Sequence, residues 1–154
     1  MSKITNPELR KIIERNVAEL NVAISSGIDK TAKTCMILSG SIAEALILER
    51  LSRDATVEAQ AILVAQSLVQ NKPSKPNDLL SWTLANLVEV AQNIPSPVLP
   101  SDSGPQIGQL RHWRNLVHPG REIKETASKR VNPTKQRAKN AVGFLEFIAH
   151  ELNL

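Results

Sequence analysis

Four side chains near residue 115 are of the types that bind and cleave phosphodiesters. Two guanidiniums, an amide and an imidazole lie close together, at Arg111, Arg114, Asn115 and His118. On an α-helix, which turns about 100° per residue, Arg111, Arg114 and His118 fall within about 60° of one another, and Asn115 lies beside them. Guanidiniums bind phosphate oxygens through paired hydrogen bonds, and histidine can move a proton at neutral pH, as a base on a 2′-hydroxyl or as an acid on the leaving oxygen. The spacing therefore predicts a phosphodiester site in which His118 moves the proton, both arginines hold the phosphate and Asn115 supports them.

The same segment also has a purely structural interpretation. Proline disfavours helical geometry in the residue before it, and glycine permits a chain reversal, so His118-Pro119-Gly120 is a natural end for a helix. Cationic side chains in the last turn of a helix also interact favourably with its dipole. Both interpretations require a helix here, and a stripe of apolar residues predicts its core-facing side: Leu110, Trp113, Leu116 and Val117.

Residue usage argues against a metal-dependent reaction at this segment. The four aspartates are scattered along the chain, at Asp29, Asp54, Asp78 and Asp102, and no acidic cluster accompanies the arginines. The single cysteine, Cys35, excludes an internal disulfide and a multi-cysteine zinc site, and it is expected to be a small core residue. We therefore predict no cofactor and no metal.

The charge is concentrated in the last third of the chain. Residues 1–100 carry ten Lys and Arg against ten Asp and Glu, whereas residues 101–154 carry nine against five, which accounts for the whole net charge of +4. Such a local surplus suits a polyanionic partner, although a solvated helix face would look the same. The longest uncharged run, 59–71, is too short to span a bilayer. We therefore predict a cytoplasmic protein without a membrane-spanning segment.

Helical spacing recurs along the chain, and no segment alternates with a period of two. The pattern predicts one all-α domain over residues 1–154, a bundle of about five to six helices. Predicted helix starts are marked by capping side chains or proline, and the fifth helix is predicted from about Gln106 to Val117. The starts are Asn6-Pro7, Asp29, Thr56, Asp78 and Asn132-Pro133.

The second helix, from Ala32 to Leu51, is predicted to be the most buried, because it has few charges inside. Gly40 within it indicates a close approach of another helix. Glu44 is a carboxylate in apolar surroundings and is expensive to bury without a partner. It either pairs with Arg111 or Arg114 or lies at an edge that faces solvent.

The run Arg114-Asn-Leu-Val-His-Pro119 resembles the signature helix of HEPN-type domains. The run Ser39-Gly-Ser-Ile-Ala-Glu-Ala-Leu46 is similar to the buried second helix of that family, which often carries a polar residue directed at the motif. The resemblance implies an all-helical, usually dimeric domain, and many members are metal-independent RNA-cleaving toxins or defence effectors. The family motif is an arginine, a polar residue and a histidine after four to six intervening residues. Arg111 to His118 fits its long form and Arg114 to His118 is one residue short, which leaves open which arginine has the main role.

Three functions are compatible with these residues. The first is a HEPN-like ribonuclease, a toxin or defence protein that would cut RNA without a metal and could have an antitoxin partner. The second is a non-catalytic module that uses the same basic helix to bind RNA, a nucleotide phosphate or an acidic protein. The third is a helical dimerisation protein. In each case we expect a symmetric homodimer with the helices of residues 111–118 near the two-fold axis.

Overall fold

The computed structural model describes residues 4–101, 104–117 and 133–153, and within these ranges the chain is helical and contains no β-strand. Two 3₁₀ turns, Leu79–Ser81 and Asn115–Val117, precede the fourth helix and follow the fifth. The described ranges contain six α-helices: α1 (Pro7–Ser25), α2 (Ala32–Ser52), α3 (Ala55–Ser67), α4 (Leu84–Asn93), α5 (Gly104–Arg114) and α6 (Lys135–Glu151). The predicted all-α bundle of five to six helices is confirmed.

α2 is the central helix of the bundle. Buried residues occur on all of its sides, and α1, α5 and α6 pack against it, with α3 and α4 making further contacts. A helix that is apolar all round has to be surrounded by other elements, which is why the pattern from Ala32 to Leu51 identified the core. Cys35 on this helix is completely buried, as expected of a core residue.

Gly40 is the point at which α5 comes very close to α2. A Cβ atom built on Gly40 would lie 2.7 Å from the Cβ of Arg114 and 2.9 Å from the carbonyl oxygen of Leu110. Both distances are too short for a side chain, so glycine is required here for steric reasons. The predicted close approach at Gly40 is confirmed, and it sets the distance between α2 and the helix that carries the two arginines.

The chain before α1 is bound to α2 by a buried carboxylate. Glu49 accepts hydrogen bonds from the Thr5 amide at 2.6 Å, the Thr5 hydroxyl at 2.8 Å and the Asn6 amide at 3.2 Å, and its side chain is inaccessible to solvent. Arg53 lies 3.5 Å away, one turn along α2. Asn6 in turn caps α1 through its side chain, as the Asn6-Pro7 pattern predicted. Glu49 therefore fixes the point at which α1 begins.

The prediction that Asp29 caps the second helix is wrong. α2 begins at Ala32, and Asp29 instead forms an ion pair with Lys135 of α6 at 3.1 Å. The chain makes one more turn first, because Gly27 adopts a φ of +102° and the Thr31 hydroxyl bonds back to the carbonyl oxygens of Ala23 and Gly27. The Asp29 carboxylate, which was expected to cap α2, instead contacts a helix more than one hundred residues later. No local sequence pattern encodes such a contact.

α3 is shorter than its apolar pattern suggested. It begins at Ala55, next to the predicted Thr56, and the Asp54 carboxylate caps it by accepting from the Thr56 amide at 2.7 Å. Apolar residues at helical spacing run from Val57 to Val69 in the sequence and predict a longer helix, but α3 ends at Ser67. Val69 is 96% exposed as a result.

The prediction that Asp78 caps the fourth helix is also wrong. A 3₁₀ turn follows Asp78, and α4 begins only at Leu84. Thr83 and Asn86 form a capping box there: the Thr83 amide donates to Asn86 Oδ1 at 2.7 Å, and the Asn86 amide donates to Thr83 Oγ1 at 3.4 Å. Leu80 stands at helical spacing with Leu84 and Leu87 and is therefore expected to face the core, but it is 76% exposed in the turn.

The last two helices lie close to their predicted positions. α5 starts at Gly104, slightly earlier than predicted, because proline is compatible with a first turn and Pro105 can be included. α6 is capped by Thr134, whose hydroxyl accepts from the Arg137 amide at 3.3 Å. Asn132, the predicted cap, lies outside the described residues.

Candidate functional site

α5 turns its apolar stripe into the core. Leu110, Trp113 and Leu116 are each no more than 3% exposed. The ring of Trp113 stacks on that of Phe144 in α6, with the ring centroids 6.1 Å apart. The predicted core-facing stripe is confirmed at these three positions, and the side chain of Val117, the fourth, lies outside the described residues. This packing leaves Gln109 and Arg111 of α5 exposed.

The structure brings four of the predicted site residues, Arg111, Arg114, Asn115 and Glu44, to one cavity of about 190 Å³. Arg111 is exposed, and the other three are half-buried. His118 lies outside the described residues. The angular argument that placed His118 beside the arginines assumed a continuous α-helix, whereas α5 passes into a 3₁₀ turn at Asn115, where the rotation per residue is larger.

Glu44 of α2 holds the guanidinium of Arg114. Nε of Arg114 lies 3.1 Å from Oε2 of Glu44, and an Nη2 hydrogen bond to Oε1 measures 3.3 Å. The expectation that Glu44 pairs with Arg111 or Arg114 is confirmed, with Arg114 as the partner. This two-point contact, made where Gly40 allows α5 to approach α2, fixes the orientation of the Arg114 fork.

Burial raises the pKa of Glu44 above its ordinary value of 4.5, and the charge of Arg114 offsets only part of that effect. The ionised carboxylate is therefore less favourable in the folded protein than in the unfolded chain. The side chain of Glu44 remains 21% exposed and that of Arg114 37% exposed, so water still reaches the pair. The pair serves to position Arg114 more than to stabilise the fold.

Arg111 is positioned differently from Arg114. Its side chain is exposed, and it forms no hydrogen bond or ion pair with any residue that the structure describes. The wall opposite α5 is built from neutral polar groups: Asn86 donates from its amide to the carbonyl oxygen of Asn71 at 2.6 Å, and Thr83 lies beside it. The cavity is also lined by the ion pair of Glu44 and Arg114, so the Arg111 guanidinium is the charged group there that an anionic ligand could bind without displacing a described partner.

The two arginines differ in what an anion would have to displace. A phosphate oxygen could bind Arg111 without displacing another described partner, whereas at Arg114 it would compete with Glu44. Asn115, at the start of the 3₁₀ turn, adds an amide donor and acceptor at the same cavity.

No group of three or more His, Cys, Asp or Glu side chains among the described residues is arranged to hold a metal ion. The described helices likewise include none with the length and hydropathy needed to cross a membrane.

Two residues of the cavity were missed in the sequence. Asn71 and Asn86 lie far from α5 in the chain and reach the cavity through the fold. The sequence offered one signal at Asn71, because asparagine close to a proline is typical of a turn. In the structure Asn71 adopts a φ of 49°, a left-handed conformation that asparagine tolerates better than most residues. Asn86 sits three residues after Thr83, the spacing of a capping box.

Comparisons with known proteins identify no relative: no family model, no curated protein and no solved structure matches the chain.

We expect Glu44→Ala to lower the free energy of unfolding by about 1–2 kcal/mol, between the values typical of exposed and of buried ion pairs. This is less than the 3–5 kcal/mol that a fully buried pair would give, because both side chains are partly exposed. Glu44→Gln keeps the shape and removes the charge. Because the folded-state pKa of Glu44 is raised, the wild type should lose stability relative to Glu44→Gln as the pH rises from about 4.5 through that pKa. Urea unfolding at several pH values measures both effects. A Glu44→Ala variant as stable as wild type would contradict the first, and a difference between wild type and Glu44→Gln that does not change with pH would contradict the second.

Proposed function

We propose that the chain is a metal-independent endoribonuclease of HEPN type that binds an RNA phosphodiester in the cavity beside α5. The observation that carries this proposal is the exposed guanidinium of Arg111, which has no partner among the described residues and lines a cavity together with Asn115 and the oriented Arg114. The resemblance of residues 114–119 to the HEPN signature helix supports the type of reaction.

The chemistry assigned to these residues is a transesterification. The 2′-oxygen of the ribose attacks phosphorus, its proton passes to a base, and the bond from phosphorus to the 5′-oxygen breaks as that oxygen takes up a proton. The products are a 2′,3′-cyclic phosphate and a 5′-hydroxyl. His118 is the proposed proton-transfer group, Arg111 binds the phosphate oxygens, and Arg114 stabilises the charge that develops on them. Asn115 orients the imidazole or the ribose.

A second candidate function is a non-catalytic module that binds RNA or a nucleotide phosphate. The ion pair between Glu44 and Arg114 favours it, since the carboxylate neutralises one of the two guanidiniums. In either case we propose that the chain acts as a homodimer, and a toxin would have an antitoxin partner. A cytoplasmic location would fit both functions.

Arg111→Gln should weaken the binding of single-stranded RNA by about fivefold at 0.1 M salt, because one phosphate contact contributes about 0.7 to the slope of log K against log salt. The slope itself should fall by about 0.7. Fluorescence anisotropy with a labelled oligonucleotide, at several salt concentrations, measures both quantities.

Lys30→Gln is the matched control. It makes the same change of charge at an exposed lysine in the turn before α2. α2 begins about 18 Å along its axis from Glu44 at the site, so this variant should bind RNA as the wild type does. If Arg111→Gln bound RNA with wild-type affinity and slope, the phosphate would not lie at Arg111 and the proposed site would be wrong.

A further inference from the structure

We propose that an RNA strand held at Arg111 continues along α4 to a second phosphate site at Arg50. The inference rests on the proposed function, which places RNA at Arg111, and extends it to the substrate. The substrate would be single-stranded RNA that contacts the protein through two separated phosphates with a nucleobase between them.

Arg50 lies at the wall of a cavity of about 730 Å³. The end of α2, the segment 96–101 and the end of α6 form this cavity. The guanidinium of Arg50 is half-buried, and no hydrogen bond or ion pair links it to the described parts of the chain. It is therefore a second cation, besides Arg111, that faces a cavity without a partner there.

Two acidic groups lie near Arg50, and neither forms an ion pair with it. The Asp54 carboxylate caps α3 by accepting from the amides of Thr56 and Val57 and acts on Arg50 only through space. Glu151 lines the same cavity as Arg50, and its Oε1 lies 3.3 Å from Nδ1 of His150. A phosphate at Arg50 would therefore meet a guanidinium without a described carboxylate partner, in a cavity that one carboxylate also lines.

The wall opposite Arg50 is fixed to α4 by hydrogen bonds. The amides of Val98 and Leu99 both donate to the carbonyl oxygen of Ala91, at 3.0 and 3.4 Å. The side chain of Gln92 donates to the carbonyl oxygen of Pro100 at 2.8 Å, and Leu99 is buried. The proline-containing segment is thus bound in place, so the cavity exists before any ligand arrives and little ordering is needed on binding.

A smaller cavity of about 170 Å³ shares lining residues with this cavity and with the one beside α5. Gln92 lines both the large cavity and the smaller one, and Arg111 lines both the smaller one and the cavity beside α5. Ala85 and Gln92, which line the smaller cavity, are seven residues apart on α4, or about 10 Å. The three cavities therefore follow one another along α4, with a guanidinium near each end.

Apart from Arg111, the lining of the middle cavity is suited to a nucleobase. Leu84, Ala85 and Val88 supply apolar surface. The carboxylate of Glu89, which accepts from the Asn71 amide at 3.3 Å, would repel a phosphate but can accept from an amino group of a base. A base can enter such a cavity only when it is unstacked, which single-stranded RNA allows.

The test uses the whole chain, an RNA oligonucleotide of about eight nucleotides, and three variants: Arg50→Gln, Arg111→Gln and the double variant. Binding is measured at several salt concentrations, and Lys30→Gln again serves as the control. Each single variant should lose about 0.7 in the salt slope and about fivefold in affinity at 0.1 M salt. The double variant should lose about twice the slope, since separated contacts are additive. The wild type should bind no more than one oligonucleotide per chain.

The outcomes separate the two proposals. If Arg111→Gln weakens binding and Arg50→Gln does not, the proposed function stands and the second phosphate site is wrong. If two oligonucleotides bind per chain, Arg50 and Arg111 hold different strands and the continuous path is wrong. If the wild type binds no RNA, or Arg111→Gln has no effect, both the path and the site beside α5 are wrong.

Discussion

His118→Ala should lower the rate of RNA cleavage by about 10²–10⁴-fold, the usual contribution of a positioned proton-transfer group. RNA binding should stay close to the wild-type value, because the proposed phosphate contacts are made by Arg111 and Arg114. In this variant the cleavage rate should therefore fall while the RNA affinity stays nearly unchanged. Single-turnover cleavage of a labelled RNA gives the first, and anisotropy gives the second.

The fold of the variant must be checked independently. Leu110 and Trp113 of α5 and Leu116 of the following 3₁₀ turn are buried. The apolar stripe predicted from the sequence does not include His118, so the far-ultraviolet circular dichroism and the thermal midpoint should remain those of the wild type. Cleavage that persists undiminished in a folded His118→Ala variant would remove His118 from the mechanism. A wild type that binds RNA but never cleaves it would instead favour the non-catalytic module.

Glu49→Ala should destabilise the protein by about 3–5 kcal/mol, the typical cost of removing one partner from a buried ionic contact. The change would leave the amides of Thr5 and Asn6 without their acceptor, and Arg53 without its carboxylate. This is a large fraction of the roughly 5–15 kcal/mol that holds a domain folded. Chemical denaturation measures the effect, and Glu14→Ala, at an exposed position on α1, should change stability by no more than about 0.5 kcal/mol.

The pH dependence of this contribution should be opposite in sign to that of Glu44. Burial alone would raise the pKa of Glu49, but the hydrogen bonds from Thr5 and Asn6 and the charge of Arg53 outweigh it, so the pKa lies below the ordinary value of 4.5. The stabilisation is therefore complete above about pH 4.5 and is lost as the pH falls through the lowered folded-state pKa. Glu49→Gln should remove this dependence. If the free energy of unfolding fell in parallel for wild type and Glu49→Gln on acidification, the charge of the Glu49 carboxylate would not be what stabilises its contacts with Thr5, Asn6 and Arg53.

The local sequence pattern predicted those features of the structure that depend on a residue and its near neighbours in the chain. Helical spacing identified α2 as the central helix, because an apolar surface on all sides has to be covered. Gly40 indicated the approach of α5, and Glu44 indicated a cationic partner, since an unpaired carboxylate in apolar surroundings is expensive. Each inference needed only the residue and its immediate neighbours.

What the sequence could not provide depends on contacts between distant segments. Asp29 has the side chain of a good cap, yet it pairs with Lys135, more than one hundred residues later. Asp78 has the same chemistry, yet Thr83 and Asn86 start α4 instead. The cavity at Arg50 is assembled from the ends of α2 and α6 and the segment before α5, so no window of sequence contains it.

The proposed function requires that side chains at the cavity beside α5 cleave RNA through its 2′-hydroxyl without a metal ion. The most direct test incubates the wild-type protein, in excess EDTA, with an RNA and with a DNA of the same base sequence. We expect the RNA to be cut, leaving a 2′,3′-cyclic phosphate and a 5′-hydroxyl. We expect the DNA, which lacks the attacking 2′-oxygen, to stay intact. Cleavage only on addition of a divalent metal ion, or equal cleavage of the DNA, would contradict it.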